Sequence, residues 1–132
     1  MKIVKQLSIF LENKPGTLSK VCRALAHESI NIYAMTVSDT VDHAVIRIVV
    51  SDPDKAVHMF EATGVLVVET DVIQIDLRNE PGQLAKLSDK LSLAQINIDY
   101  AYCAADQEQK KGALILRVND TKEALKVLKD FH

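Results

Sequence analysis

Two tandem α+β units, each an antiparallel sheet with helices packed on one face, are what the sequence predicts. Three observations predict them: an internal repeat, the same alternation of strand-period and helix-period segments in both copies, and enough apolar residues for a packed core. Leu-Glu-Asn-Lys-Pro-Gly-Thr-Leu at 11–18 returns as Leu-Arg-Asn-Glu-Pro-Gly-Gln-Leu at 77–84, and ten of the 24 positions 11–34 recur identically 66 residues on, without a gap. Downstream the spacing grows to 68, so that Ile46, Ile48 and Val50 meet Leu114, Leu116 and Val118. The two extra residues fall in the polar stretch from Ala105 to Gly112, where a hairpin connection lengthens at little entropic cost.

Within a copy, Leu7, Ile9 and Leu11 alternate with Ser8 and Phe10, and Ile73, Ile75 and Leu77 with Gln74 and Asp76, the period of a half-buried strand. Pro-Gly then opens a helix, with Pro15 and Pro81 expected at the first helical position, where a missing N–H costs nothing. Leu18, Val21, Cys22, Leu25 and Ala26, like Leu84, Leu87 and Leu91, recur at helical spacing and give each helix one buried stripe. β-rich segments follow at 30–38 and 43–51, and at 96–104 and 112–119. A second helix is expected at 53–62 and 121–129, with Gly64 ending the first of these.

Val65–Glu69 reads as a fourth strand that runs across Thr70 and Asp71 into the first strand of the second copy. The order βαββαβ followed by βαββα predicts two ferredoxin-like sandwiches, one over 1–70 and one over 71–132, the second lacking its last strand. After Leu128 only Lys129, Asp130, Phe131 and His132 remain, too few to supply it. The strand at Ile73–Leu77 is then short of one neighbour, and unpaired strand edges are usually covered. Another chain or the N-terminal stretch is expected to cover this one.

Composition narrows the function. The chain has 132 residues, 48% apolar and 5% aromatic, with 16 Lys plus Arg against 18 Asp plus Glu, so no basic surplus or cluster points to nucleic acid or an anionic membrane. The predicted strands Ala44-Val45-Ile46-Arg47-Ile48-Val49 and Ala113-Leu114-Ile115-Leu116-Arg117-Val118 lack the aromatic platform of an RNA-binding sandwich. No apolar run approaches the roughly 20 residues of a membrane helix, and the N-terminus does not develop a signal-peptide core, so a cytoplasmic protein is expected. Cys22 and Cys103 have no partner at zinc or redox spacing, and His27, His43 and His58 have no counterparts in the other copy, so neither a metal nor a cofactor is expected. No nucleophile elbow, phosphate loop or carboxylate pair appears, and the sequence predicts no enzyme.

The repeated corner has chemistry of its own. The N–H groups of Gly16, Thr17 and Leu18, and of Gly82, Gln83 and Leu84, stand at helix N-termini, where unpaired donors and the positive dipole end make an anion seat. Asn13, Asn31, Asn79 and Asn97 each offer an amide donor and a carbonyl acceptor, the pair of functions that an α-amino acid's carboxylate and ammonium demand. An Asn before Pro-Gly equally builds a turn on its own backbone.

The strand, Asn-x-Pro-Gly-x-Leu, helix, Ile-Asn-Ile, strand and hairpin, twice over, resemble a tandem pair of ACT domains, small regulatory modules that bind amino acids. With no catalytic domain in the chain, the likeness is to the stand-alone members. It implies a sensor that binds a small amino acid at interfaces between ACT units, with ligand contacts at Leu11, Asn13, Pro15, Gly16, Thr17, Leu18, Asn31 and Ile32, and at Leu77, Asn79, Pro81, Gly82, Gln83, Leu84, Asn97 and Ile98. ACT modules that sense serine carry a His two residues before the loop Asn. Leu11 and Leu77 stand there in this chain, which implies a more apolar ligand. A homodimer and a regulated enzyme of amino-acid metabolism are the implied partners. The alternative is a scaffold that dimerises through sheet edges and binds nothing.

Overall fold

The computed structural model of the chain describes residues 1–39 and 43–131; His132, counted above with the end of the second copy, lies outside them. In chain order these residues form β1 (Lys2–Glu12), α1 (Thr17–His27), β2 (Ile32–Asp39), β3 (His43–Val50), α2 (Pro53–Ala62), β4 (Leu66–Arg78), α3 (Gln83–Leu93), β5 (Ile98–Ala104), β6 (Lys111–Val118) and α4 (Thr121–Val127). The architecture is the α+β class that the repeat predicts. The chain divides into two compact units, Lys5–Thr70 and a second made of Met1–Val4 with the chain from Asp71 onward.

In the first unit β3 lies between β2 and β1, and the start of β4 follows beside β1. β1 and β3 run antiparallel with Leu7 opposite Ile48 and Ile9 opposite Ile46, so the period-2 apolar sets of both strands share one face. Onto that face pack Val21 and Leu25 of α1 and Ala56 and Phe60 of α2, closing a core with Ile30 and Val50. In the second unit β6 lies between β5 and β4, and Ile73 faces Leu116 as Ile75 faces Leu114. Leu87 and Leu91 of α3, Ala124 of α4 and Leu128 complete that core. Each fully buried Leu or Ile side chain contributes about 1.5–3 kcal/mol, so the alternation in the strands is the main source of each unit's stability.

Two expectations about strands are met, each in a particular form. Val65–Glu69 and Ile73–Leu77 are halves of one unbroken strand, β4, since Thr70-Asp71-Val72 contains no residue that stops a strand. The edge of β4 left open by the second copy is met from within the chain. β1 is the hydrogen-bonded neighbour of β4, and its first residues, up to Val4, belong to the second unit. They stand where the missing fourth strand would be, so this edge makes no demand on another chain.

The Pro-Gly corner is also built differently. Helices α1 and α3 begin at Thr17 and Gln83, not at proline. Lys14-Pro15-Gly16-Thr17 is a type II turn: Gly16 has φ 90° and ψ −12°, and the Thr17 N–H donates to Lys14 O at 3.3 Å. Gly82 repeats it with φ 90° and ψ −6°, closed by Gln83 N–H to Glu80 O at 3.4 Å. Pro at the second turn position and Gly at the third are what this turn type requires.

Both helices end alike. Ser29 (φ 58°) and Gln95 (φ 60°) are left-handed, and the N–H groups of Ile30 and Ile96 donate back to Leu25 O and Leu91 O, each at 2.9 Å. This is a Schellman stop whose following apolar residue returns to the core, and it explains the first Ile of each Ile-Asn-Ile. The second helix of each unit is capped by an aspartate: Asp52 and Asp120 each accept from the backbone N–H three residues on, at 3.1 Å.

A Cβ at Gly16 or Gly82 would meet nothing within 4 Å, so Gly82→Ala should cost only the left-handed backbone penalty, about 1–2 kcal/mol, measured by urea unfolding. Removing Met1–Val4 should lower hydrogen-exchange protection of those β4 amides from Asp71 onward that point away from β6, while protection in β3 persists.

Candidate functional site

The type II turn decides what each corner can offer. Because the turn consumes the first N–H of the helix, Thr17 and Gln83 do not present free donors as expected. The following N–H groups of the first turn remain without a side-chain cap in both α1 and α3, at the positive end of the helix dipole.

The two halves of the expected contact set do not meet within a unit. Asn13 precedes α1 and Asn31 follows it, and the 11 residues between the helix's ends span roughly 16 Å at 1.5 Å per residue. The same separation divides Asn79 from Asn97 across α3. Asn31 and Asn97 serve the strand starts: the Asn31 N–H donates to Ser51 Oγ at 2.9 Å, the Asn97 N–H donates to Asn119 Oδ1 at 3.1 Å, and Asn97 Nδ2 donates to Asp99 Oδ1 at 2.9 Å. Ile32 and Ile98 are half-buried against their cores.

In the second unit the corner opens on a cleft of about 340 Å³, near the lower end of the roughly 300–1,000 Å³ usual for small-molecule sites. Leu77, Asn79, Pro81, Gly82, Gln83 and Leu84 line it, all of them expected contacts. Arg78, Glu80, Ala85, Cys103, Ala104, Ala105 and Gly112 line it too and were missed. The growth of the repeat spacing between 105 and 112 was the one signal for the last of these. Gly112 is required there, because a Cβ would lie 2.8 Å from Ala105 Cβ and 2.9 Å from Ala104 O.

Asn79 is largely a builder of this wall. Its Nδ2 donates to Asp106 O (2.9 Å) and Gln109 O (3.0 Å), and its N–H donates to Lys110 O at 2.8 Å, pinning the β5–β6 connection. Gln83 is different. It is 3% exposed, and its Oε1 is enclosed without a hydrogen-bond partner, a state that costs about 1–3 kcal/mol.

The first unit has another arrangement. Its cleft, about 760 Å³, runs from the end of β1 between α1 and α2. Of the expected contacts it includes Leu11 and Thr17 but not Asn13, Pro15, Gly16 or Leu18. Glu12, Lys14, Lys20 and His43 stand around an apolar wall that includes Val21, Met59, Phe60 and Val65. Lys14 Nζ is 3.0 Å from Glu12 Oε2. That hydrogen bond, with the Lys14 charge and smaller contributions from His43 and Lys20, holds the exposed Glu12 carboxyl below its ordinary range.

Among the described residues no cluster of His, Cys, Asp and Glu could hold a metal, and no helix is long and apolar enough to cross a membrane.

A family model described as an ACT domain pair matches residues 1–130. The crystal structure of a Bacteroides thetaiotaomicron protein superposes with a TM-score of 0.90 at 38% identity, covering 97% of this chain and 88% of that one. The regulatory subunit of aspartate kinase from Thermus thermophilus, in its ligand-free form, is similar at TM-score 0.73 and 16% identity over 100% of this chain and 99% of that one. The same subunit from Thermus flavus gives 0.66 and 16%, over 98% and 95%. At such identities the Thermus proteins speak for the fold alone. No curated protein matches the chain.

Lys14→Ala should raise the Glu12 titration midpoint toward that of an ordinary glutamate, measured by NMR of the side-chain carboxyl. Because the folded-state pKa is the lowered one, the pair's small stabilisation is present above the ordinary carboxylate range and lost as pH falls through the lowered value.

Proposed function

The chain belongs to the ACT domain pair family, and on that premise we propose that it is a non-catalytic regulatory module that binds a small amino acid at the Asn79–Gln83 corner. The observation that carries this reading is the orphaned Gln83 Oε1 in the wall of the cleft that the uncapped N-terminus of α3 borders. An acceptor short of a donor stands beside donors short of an acceptor, and a zwitterion supplies both: its ammonium to Gln83, its carboxylate to the first-turn N–H groups. Leu77 and Leu84 in the same wall favour an apolar or small ligand side chain.

The first unit has Thr17 where the second has Gln83, and its cleft does not reach Asn13. One amino acid per chain is therefore the proposed stoichiometry. Its binding acts on a partner enzyme of amino-acid metabolism, for which the aspartate kinase regulatory subunits are the structural precedent. The effect is bounded by the ligand's differential affinity for the two states it links.

A homodimer belongs to the same proposal. In the first unit, among the described residues, β2 has β3 as its one hydrogen-bonded neighbour, and Tyr33, Met35 and Val37 are exposed along it, Tyr33 by 64%. A second copy would cover both the backbone groups and these side chains.

A thermal-shift screen of the twenty amino acids should raise the melting temperature with at least one, since a ligand at 100 times its Kd stabilises the native state by about 2.7 kcal/mol. Gln83→Leu should weaken that ligand at least about tenfold while leaving the unliganded fold as stable or up to about 1 kcal/mol more so, because the orphaned acceptor is gone. No shift at millimolar concentration would leave the scaffold reading in its place.

A further inference from the structure

The large cleft of the first unit runs on between its two helices, where the described cleft of the second does not, and the internal repeat points to the reason. After α2 the Thr63 N–H donates to Phe60 O at 3.1 Å; 68 residues on, the Phe131 N–H donates to Leu128 O at 2.9 Å. The two positions are therefore equivalent in backbone as well as in spacing. Phe131 packs against the core of the second unit. Thr63 instead turns its hydroxyl back onto the helix, donating to Phe60 O at 2.9 Å. Ala24 on the facing side of the cleft likewise corresponds to the longer Lys90 at the repeat's spacing of 66. Two small residues thus line the cleft in one unit at positions where the other carries an aromatic ring packed on its core and a lysine. The second unit's cleft shares the corner positions Leu77, Arg78, Glu80 and Gln83 with it at the repeat's spacing, but no residue of α4 lines it.

What remains open is a trough of about 760 Å³ with an apolar floor and a cationic rim. Lys14 and Lys20 stand on it against one carboxylate, Glu12. Lys14 is paired with Glu12 at 3.0 Å, whereas Lys20 makes no ion pair within 4 Å among the described residues. Two ammonium groups and one carboxylate leave a positive surplus beside the apolar wall. We propose that this cleft binds an aliphatic carboxylate, its head at Lys20 and its chain along Val21, Met59 and Val65. An amine of the same chain length meets the wrong charge at the rim. A short carboxylate finds the charge but leaves the floor uncovered, and each buried methylene raises affinity by about fourfold.

The test is titration of the full chain with octanoate, butanoate and octylamine, followed by ¹H–¹⁵N NMR. Octanoate should bind saturably and shift the amides of Ala24, Thr63 and Val65, with butanoate at least about tenfold weaker. Thr63→Phe, which copies the second unit's residue at this position, should abolish binding, and Lys20→Glu should weaken it about tenfold. Should Thr63→Phe fail to fold, Lys20→Glu decides. The proposal is overturned by the absence of saturable octanoate binding at millimolar concentration, by octylamine binding as tightly, or by Lys20→Glu leaving the affinity unchanged. It stands apart from the amino-acid reading, because Gln83→Leu touches only the other unit and should leave octanoate binding intact.

Discussion

Each unit turns on a glycine held at φ 90°. Only a residue without a Cβ adopts that geometry cheaply, and the type II turn it completes sends the chain from a strand directly into the helix that covers the sheet. The turn places Val21 and Leu25, or Leu87 and Leu91, over the strand-period Ile and Leu residues. It also spends the first helical N–H on turn closure and leaves the next ones uncapped. Core packing and anion seat are thus consequences of one local constraint, which is why the same Pro-Gly serves both the fold and the candidate site.

The two copies share this frame and differ in what fills it. Gln83 replaces Thr17, and an amide buried without a partner appears in one corner only. Phe131 replaces Thr63, and among the described residues the trough between the helices is seen in the first unit. Neither replacement disturbs the strand registers, since both lie at helix ends where the backbone hydrogen bonds are the same in each copy. Duplication followed by changes at such positions lets one fold carry two dissimilar cavities at little cost in stability.

Much of this was legible in the residues. The repeat, the strand period of Leu7-Ile9-Leu11 and Ile73-Ile75-Leu77, and the helical stripes gave the element order and the core, because periodicity reports which face is buried. The corner residues Asn79 to Leu84 were legible as a place where a ligand's charges could be met. Their roles were less so. Asn79 reads as a ligand contact or a turn former with equal ease, and only the positions of Asp106 O and Gln109 O show its amide donors engaged. Asn31 and Asn97 stand a helix length from the corners they were grouped with, a distance that sequence spacing does not reveal.

What the sequence determined by itself is whatever local chemistry enforces: two βαββα halves, corners that need Pro and Gly in that order, and cores set by alternation. Tertiary structure alone decided that Met1–Val4 group with the second unit, that Gln83 Oε1 is buried without a hydrogen-bond partner, and that Phe131 packs on its core where Thr63 lines a cleft. These depend on which distant segments come together and how much volume their side chains leave. Neither quantity is carried by any single stretch of residues.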